Sequence, residues 1–364
     1  MSGIIVALSA YPRDNAGMMS VNLALAQLAP CRVIFANLEA SEEGFWGLLR
    51  YSDKVTKGIL EEATVVGWGD FIHCLTWVNR ELVMHLEKNK GLKPEETLGK
   101  WYGLHMLHGV EPRKTLSFGS SLYINPISAY SDPIYAEALK ALRRKCSLLS
   151  FRDPLSPVQL KNLVGIDASV GCDSAMFLQS DRLPRMPEMS LPPDLAPGRY
   201  IVTATGRSGF ANEQASFINA LSYVTGLSAV KIDWLNTRSD EAFLRSLKIL
   251  QNAKLCVTDI YHLCVNCLRE RVPVFCFYRS GFAGHSLDDE KKRLLFYGYG
   301  LHEYLIDLDQ MAFSKSSAFR DFVIKKTVSR LEQDSLYEML NRNIPANVAL
   351  MKEQLRDHIV TGCA

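Results

Sequence analysis

No stretch of this chain comes near the ~18 to 20 consecutive apolar residues that a bilayer span requires. The apolar run Ile4–Leu8 is too short for a signal-peptide core and has no basic segment before it. A cytoplasmic protein is expected, with peripheral contact at the inner face of the membrane left open. Charge of one sign is also scarce. Against 39 Asp and Glu stand 41 Lys and Arg, a net charge of +2 with no long basic stripe, so nucleic acid is not an expected partner. Any anion has to be met by local positive groups. Nine cysteines are an odd number, scattered mostly through apolar runs, and lack the dense framework of a small secreted domain; a reducing compartment follows. Cys264 and Cys267 make a C-x-x-C inside a helical stretch with no second pair nearby. His105 and His108 stand three apart, without a carboxylate or third His at ligand spacing, and no metal site is expected. Dinucleotide fingerprints and Walker A loops are absent too, which removes support for nicotinamide and ATP chemistry.

What is present is a long alternation of strands and helices. With 364 residues, 48% hydrophobic and 22% charged, the chain is globular and long enough for two domains. Strands are expected at Ile4–Leu8, Arg32–Asn37, Ala63–Gly67, Thr115–Phe118 and Ser147–Phe151, with helices over Met18–Leu28, Phe71–Leu86 and Pro133–Lys145 between them. Glu87–Lys100 reads as a charged, solvated connection. Five prolines (Pro184, Pro187, Pro192, Pro193 and Pro197) then crowd a stretch that can continue neither helix nor interior strand. The pattern restarts with strands Tyr200–Ala204, Ser228–Trp234, Lys254–Thr258, Val272–Tyr278 and Tyr304–Asp307. The expected layout is α/β: two Rossmann-like domains facing a central cleft, residues 1–182 and 200–345, joined by a Pro-rich linker 183–199. A last helix within 346–364 is free to return to the first domain.

The stretch Lys254–Tyr278 reads as strand, tight turn, helix and strand, the βαβ unit of a parallel sheet. Ligands of such sheets bind beyond the carboxyl ends of the strands, where a helix N-terminus offers amides to an anion. Asp259 is placed as an N-cap there, and His262 at the same corner. In the first half, Ser147–Phe151 delivers Arg152 to a strand end, suited either to holding a carboxylate or phosphate or to a salt bridge with a neighbour. Asp70, after Gly69 at the end of the third strand, is either an acceptor contact or a helix cap; Asp173 can likewise face the cleft or cap a turn. Arg207 occupies the strand-to-helix position in the second half that Arg152 holds in the first. The block Asp288 to Lys292 is most simply a solvated helix face.

Thr258-Asp259-Ile260-Tyr261-His262-Leu263, with Asn266 and Val272-Pro273-Val274, resembles the polysaccharide pyruvyl transferase family, as do Arg152-Asp153-Pro154-Leu155-Ser156 and Gly119-Ser120-Ser121. The loop Arg13-Asp14-Asn15-Ala16-Gly17 looks like that family's N-terminal loop, although an ordinary βα loop capped by Asp14 or Asn15 fits as well. Many members carry Arg where this chain has Ile260. The resemblance implies a glycosyltransferase-B-like fold. It implies transfer of the carboxyethylidene group of phosphoenolpyruvate to two hydroxyls of a sugar in a polysaccharide or its precursor, lipid-linked or not, with no cofactor. In that reading the first domain takes the acceptor and the second the donor. His262 is the general acid or, more plainly, a cap or core histidine. Arg152, Arg207, Tyr261, Lys291 and Lys292 are the donor contacts, the amides after Asp259 support the phosphate, and Asn15, Asp70 and Ser120 contact the acceptor. The alternatives are a nucleotide-sugar glycosyltransferase of the same fold and a noncatalytic saccharide-binding relative.

Overall fold

The computed structural model describes residues 3–10, 15–39, 49–184, 191–192, 195–237, 239–281, 287–314 and 317–360. Arg13 and Asp14 of the first loop, Pro187 and Pro193 of the Pro-rich stretch, His285 and Cys363 lie outside these residues. Contacts divide the described residues into two compact units. One gathers those within Met1–Arg13, Met18–Asp181 and Ala349–Ala364; the other gathers those within Asp14–Gly17 and Arg182–Val348.

The first unit holds seven strands: β1 (Ile4–Leu8), β2 (Arg32–Ala36), β3 (Tyr51–Ser52), β4 (Thr64–Trp68), β5 (Lys114–Ser120), β6 (Cys146–Phe151) and β7 (Ser169–Val170), in the order β3-β2-β1-β4-β5-β6-β7. All neighbours run parallel. Strands of a parallel sheet covered on both faces read as continuous apolar runs, and β4 is buried at every position. The strand order reverses direction between β1 and β4. That is the switch point where the crossover connections part to opposite faces and leave a crevice.

The second unit holds β8 (Tyr200–Ala204), β9 (Ser228–Lys231), β10 (Leu255–Thr258), β11 (Val274–Tyr278) and β12 (Leu305–Asp307) in the order β12-β11-β10-β8-β9, also parallel throughout. Its switch point falls between β8 and β10, the two central strands, both fully buried. The helix Tyr261–Arg269 follows β10 and is buried from Tyr261 to Leu268, its polar His262 and Asn266 included.

Two expected elements are corrected. Glu87–Lys100 is largely solvated, as expected, but it is helical rather than a plain connection: the helix Val83–Lys90 closes on Gly91 at φ +65°, and a new helix runs Pro94–Leu104. Pro94 sits at the start of that helix, and Glu96 reaches back to the Lys93 amide at 3.1 Å. Those charges are the wet face of a helix whose Trp101 is fully buried. The helix expected from Phe71 begins only at Leu75, because Asp70 stands at φ +49° and residues 69–74 form a turn first.

Candidate functional site

Loops after β8 and β10 meet at the second unit's switch point, and one carboxylate ties them together. Asp259 is fully buried and does not cap its own helix; Ile260 occupies the cap position without a side-chain bond. Instead the Asp259 carboxylate accepts from the backbone N–H of Gly206 at 3.1 Å, Arg207 at 2.7 Å and Ser208 at 2.7 Å, and from Gln214 Nε2 at 3.2 Å. Thr258 adds a second tie: its hydroxyl donates to Ala204 O at 2.5 Å and accepts from the Ile260 amide at 3.0 Å. The Ile260 amide, expected to face a phosphate, is therefore satisfied within the protein. Arg207 itself is exposed, so its backbone is bound inside while its guanidinium is left to the solvent side. Ile260 also lines a cavity of about 310 Å³ over the ends of β8, β9 and β10, with Thr205, Lys231, Asp233 and Trp234.

His262 lies one residue into that helix and is 7% exposed. Its ring stands edge-on to Tyr261, centroids 5.2 Å apart, and the Lys291 ammonium lies 5.5 Å from the Tyr261 ring centre. Three residues singled out from the sequence thus form one cluster, with a cation beside an aromatic face beside an imidazole. Asn15 caps the helix Ala16–Leu28 by accepting from the Gly17 amide at 2.9 Å, and the Ala16 amide donates to Trp234 O at 3.2 Å. Gly17 sits against the histidine: a Cβ built there would lie 2.3 Å from His262 Cβ and 2.8 Å from its Nδ1. Only a residue without a side chain allows that approach.

Lys292 is a correction. Rather than standing on a solvated face, it is 1% exposed and donates to Asp289 Oδ1 at 2.6 Å, Ser208 Oγ at 2.7 Å and Phe277 O at 3.2 Å. An ammonium has three N–H groups, and all are used, which leaves nothing for a phosphate. Burial works against its charge, but Cys276, Asp289 and Asp259 outweigh burial and move its pKa upward. Ser208 also donates to Asp289 at 3.1 Å, so this ion pair grips the loop that Asp259 holds from the other side.

Within the first unit Arg152 is not an open guanidinium. Its side chain is 2% exposed, with Nη1 2.9 Å from Asp173 Oδ2, Nη2 3.6 Å from Asp70 Oδ1, and the guanidinium 5.0 Å from the Phe71 ring centre. Two carboxylates meet one cation, which suits the site to hydroxyl groups better than to a second anion. Asp70 is no helix cap; its side chain, 15% exposed, is the outward member of this trio. Asp173 both pairs with Arg152 and caps the following turn through the Ala175 amide at 3.0 Å. Ser120 is fully buried beneath them, its carbonyl accepting from the Arg152 amide at 3.0 Å, so it cannot touch an acceptor.

Other marked residues fall elsewhere. His105 is buried and His108 exposed, so they share no face; His105 lies instead near His73, which pairs with Ser117 Oγ at 2.9 Å. Burial, partly offset by a backbone contact at His105, lowers the His73 pKa to about 4, and burial with the His73 charge lowers that of His105 to about 3. Cys264 and Cys267 are buried in the core of the second unit, where burial and the neighbouring thiols Cys276 and Cys256 push both well above the usual thiol range. Among the described residues no group of three or more His, Cys, Asp or Glu is placed to hold a metal ion, and no helix is long and apolar enough to cross a membrane. Sequence reasoning missed the roles of Asp259 and Asp289. An Asp after a strand reads equally well as a cap, and nothing in its own neighbourhood marks a partner fifty residues earlier.

The family model described as polysaccharide pyruvyl transferase matches residues 65–281, more than half of the 364-residue chain. That span contains Arg152, Arg207, Asp259 and His262. Among solved structures, UDP-GlcNAc 2-epimerase from Neisseria meningitidis bound to UDP-GlcNAc is 11% identical, with a TM-score of 0.55 over 99% of this chain and 100% of that one. A Listeria monocytogenes protein assigned as a UDP-N-acetylglucosamine 2-epimerase is 12% identical, with a TM-score of 0.52 over 98% of this chain and 95% of that one. These likenesses show the fold: two Rossmann-like domains of the glycosyltransferase-B-like class. No curated protein matches the chain by sequence.

Proposed function

The chain belongs to the polysaccharide pyruvyl transferase family, and from that premise we propose that it transfers the carboxyethylidene group of phosphoenolpyruvate to two hydroxyls of one sugar. The observation that carries this reading is His262 at the first turn of a helix at the switch point, with Lys291 and Tyr261 beside it and Arg207 on the adjoining loop. Phosphoenolpyruvate brings a carboxylate and a phosphate, and the helix N-terminus, Lys291 and Arg207 are the positive groups that meet them. The imidazolium of His262 gives its proton to the methylene carbon, and an oxocarbenium-like centre forms at C2. One sugar hydroxyl adds to C2, phosphate leaves, and the second hydroxyl closes the ring. Of the two hydroxyl protons released, one restores His262 and the other goes to the departing phosphate. No cofactor enters this balance.

On the acceptor side, Asp70 is the accessible carboxylate for a sugar hydroxyl, oriented by Arg152 rather than replaced by it. This reading moves Arg152 from a donor contact to a support for the acceptor contact. The test is phosphate release from phosphoenolpyruvate across a saccharide library, with products weighed for a gain of one pyruvic acid less one water. His262→Ala is expected to lower turnover ~100-fold or more, the range of a lost general acid. Phosphate release that survives this change rules the assignment out.

A further inference from the structure

We infer that Asp259 is a positioning residue for the anionic donor, acting through Arg207; this rests on the phosphoenolpyruvate reading above. Successive backbone N–H groups curled into a concave nest make an anion site. In this protein the nest at 206–208 is already filled, because Asp259 takes all three amides and the Gln214 side chain as well. The ligand therefore cannot use the nest. What the filled nest does is fix the loop from which Arg207 projects.

Several observations agree that this loop is held in one shape. Phe210 stands at φ +55°, a backbone conformation that a bulky side chain keeps only when the surroundings hold it, while Gly206 at φ +136° supplies the turn that only glycine makes without cost. Arg279 lies over the Phe210 ring at 4.9 Å and pairs with Asp309 at 3.2 Å, while Lys292 and Asp289 grip Ser208. Inside this frame Ser208 is buried while Arg207 is exposed. Asp259 also stands three residues before His262, just ahead of the helix that carries it. The carboxylate thus fixes the guanidinium loop against the segment that carries the imidazole, and a two-point ligand needs that geometry constant.

Asn is the informative replacement at this site. Its single carbonyl oxygen has two acceptor positions for four donors, and its NH₂ opposes the others, so the shape is kept while the loop is released. The experiment is calorimetric titration of the full chain with phosphoenolpyruvate and, separately, with inorganic phosphate, for the native protein, Arg207→Ala, Asp259→Asn and the double variant. Each single change is expected to weaken phosphoenolpyruvate binding about tenfold, one bidentate contact's worth, and the double variant no more than either. Such non-additivity separates positioning from general support of the fold, since losses from independent causes multiply to about a hundredfold. Multiplying losses, or native-like binding by Asp259→Asn, overturn the inference. If the native protein binds phosphate but not phosphoenolpyruvate, the donor reading falls, and the same cycle run with phosphate still decides the role of Asp259. Indifference of both anions to Arg207→Ala overturns it outright. Should Asp259→Asn unfold, Ser208→Ala, which loosens the same loop from its other side, stands in its place in the cycle.

Discussion

His262 and Gly17 are a matched pair at the scale of single residues. A methyl group at position 17 would come within 2.3 Å of His262 Cβ and 2.6 Å of its imidazole, so Gly17→Ala forces the ring to turn or the helix start to move. Overpacking of this kind costs ~1 to 3 kcal/mol. The expected outcome is a fall in turnover far larger than that modest stability loss explains, because a proton donor misplaced by about 1 Å loses ~100-fold. Steady-state rates and a thermal melt on one preparation check it, and a variant that melts early yet keeps full turnover contradicts it. A second residue-scale outcome concerns acid. His73 and His105 are held neutral by burial, at about 4 and about 3 against a usual 6.5. Between those values the unfolded chain binds protons that the folded one refuses, so stability is full above the usual value and is lost as pH falls through about 6.5 toward about 3. His73→Gln should flatten that slope by one proton's worth, ~1.4 kcal/mol per pH unit, read from urea midpoints across the window. The sequence showed His262, Tyr261 and Lys291 as separate marks; that they touch could not be read, since periodicity says nothing about which side chains converge.

Elements explain what the residues could not. The loop after β8, the turn after β10 and the helix Leu287–Gly298 share one polar knot, in which Lys292 sits between Asp289, Ser208 and Phe277. Removing one partner of a buried ion pair strands the other, at a cost of ~3 to 5 kcal/mol. Lys292→Met should therefore lower the melting temperature by many degrees, whereas Lys291→Ala, one position earlier on the helix, should leave stability nearly unchanged and weaken phosphoenolpyruvate binding. Reversal of that pattern would mean that the two lysines have been given each other's roles. The same logic applies in the first unit. Arg152→Met strands Asp173, buried at 1% side-chain exposure, and is expected to destabilise by a similar amount, measured by urea unfolding. Lys291 and Lys292 look alike in sequence because a charged run reads as a wet helix face; neighbouring positions on a helix point about 100° apart, and only packing decides which one turns inward.

For the whole molecule, the alternation of apolar runs and helical stretches was enough to read an α/β protein of two Rossmann-like domains, and the strands β1, β4, β8 and β10 stand within a residue or two of where the runs put them. The edge strand β3 was invisible because two residues carry no periodicity. Strand order was equally hidden, and with it the two switch points that give Asp70 and Asp259 their meaning. Arg152 at a strand end was legible; its two carboxylate partners, one 21 residues later and one after β4, two strands away in the sheet, were not. The account stands on the donor. Incubating the full chain with phosphoenolpyruvate and a saccharide library, then following inorganic phosphate and product mass together, is the most direct measurement of it. The account predicts stoichiometric phosphate and a sugar heavier by one pyruvic acid less one water. Consumption of a nucleotide sugar with phosphoenolpyruvate untouched would contradict it.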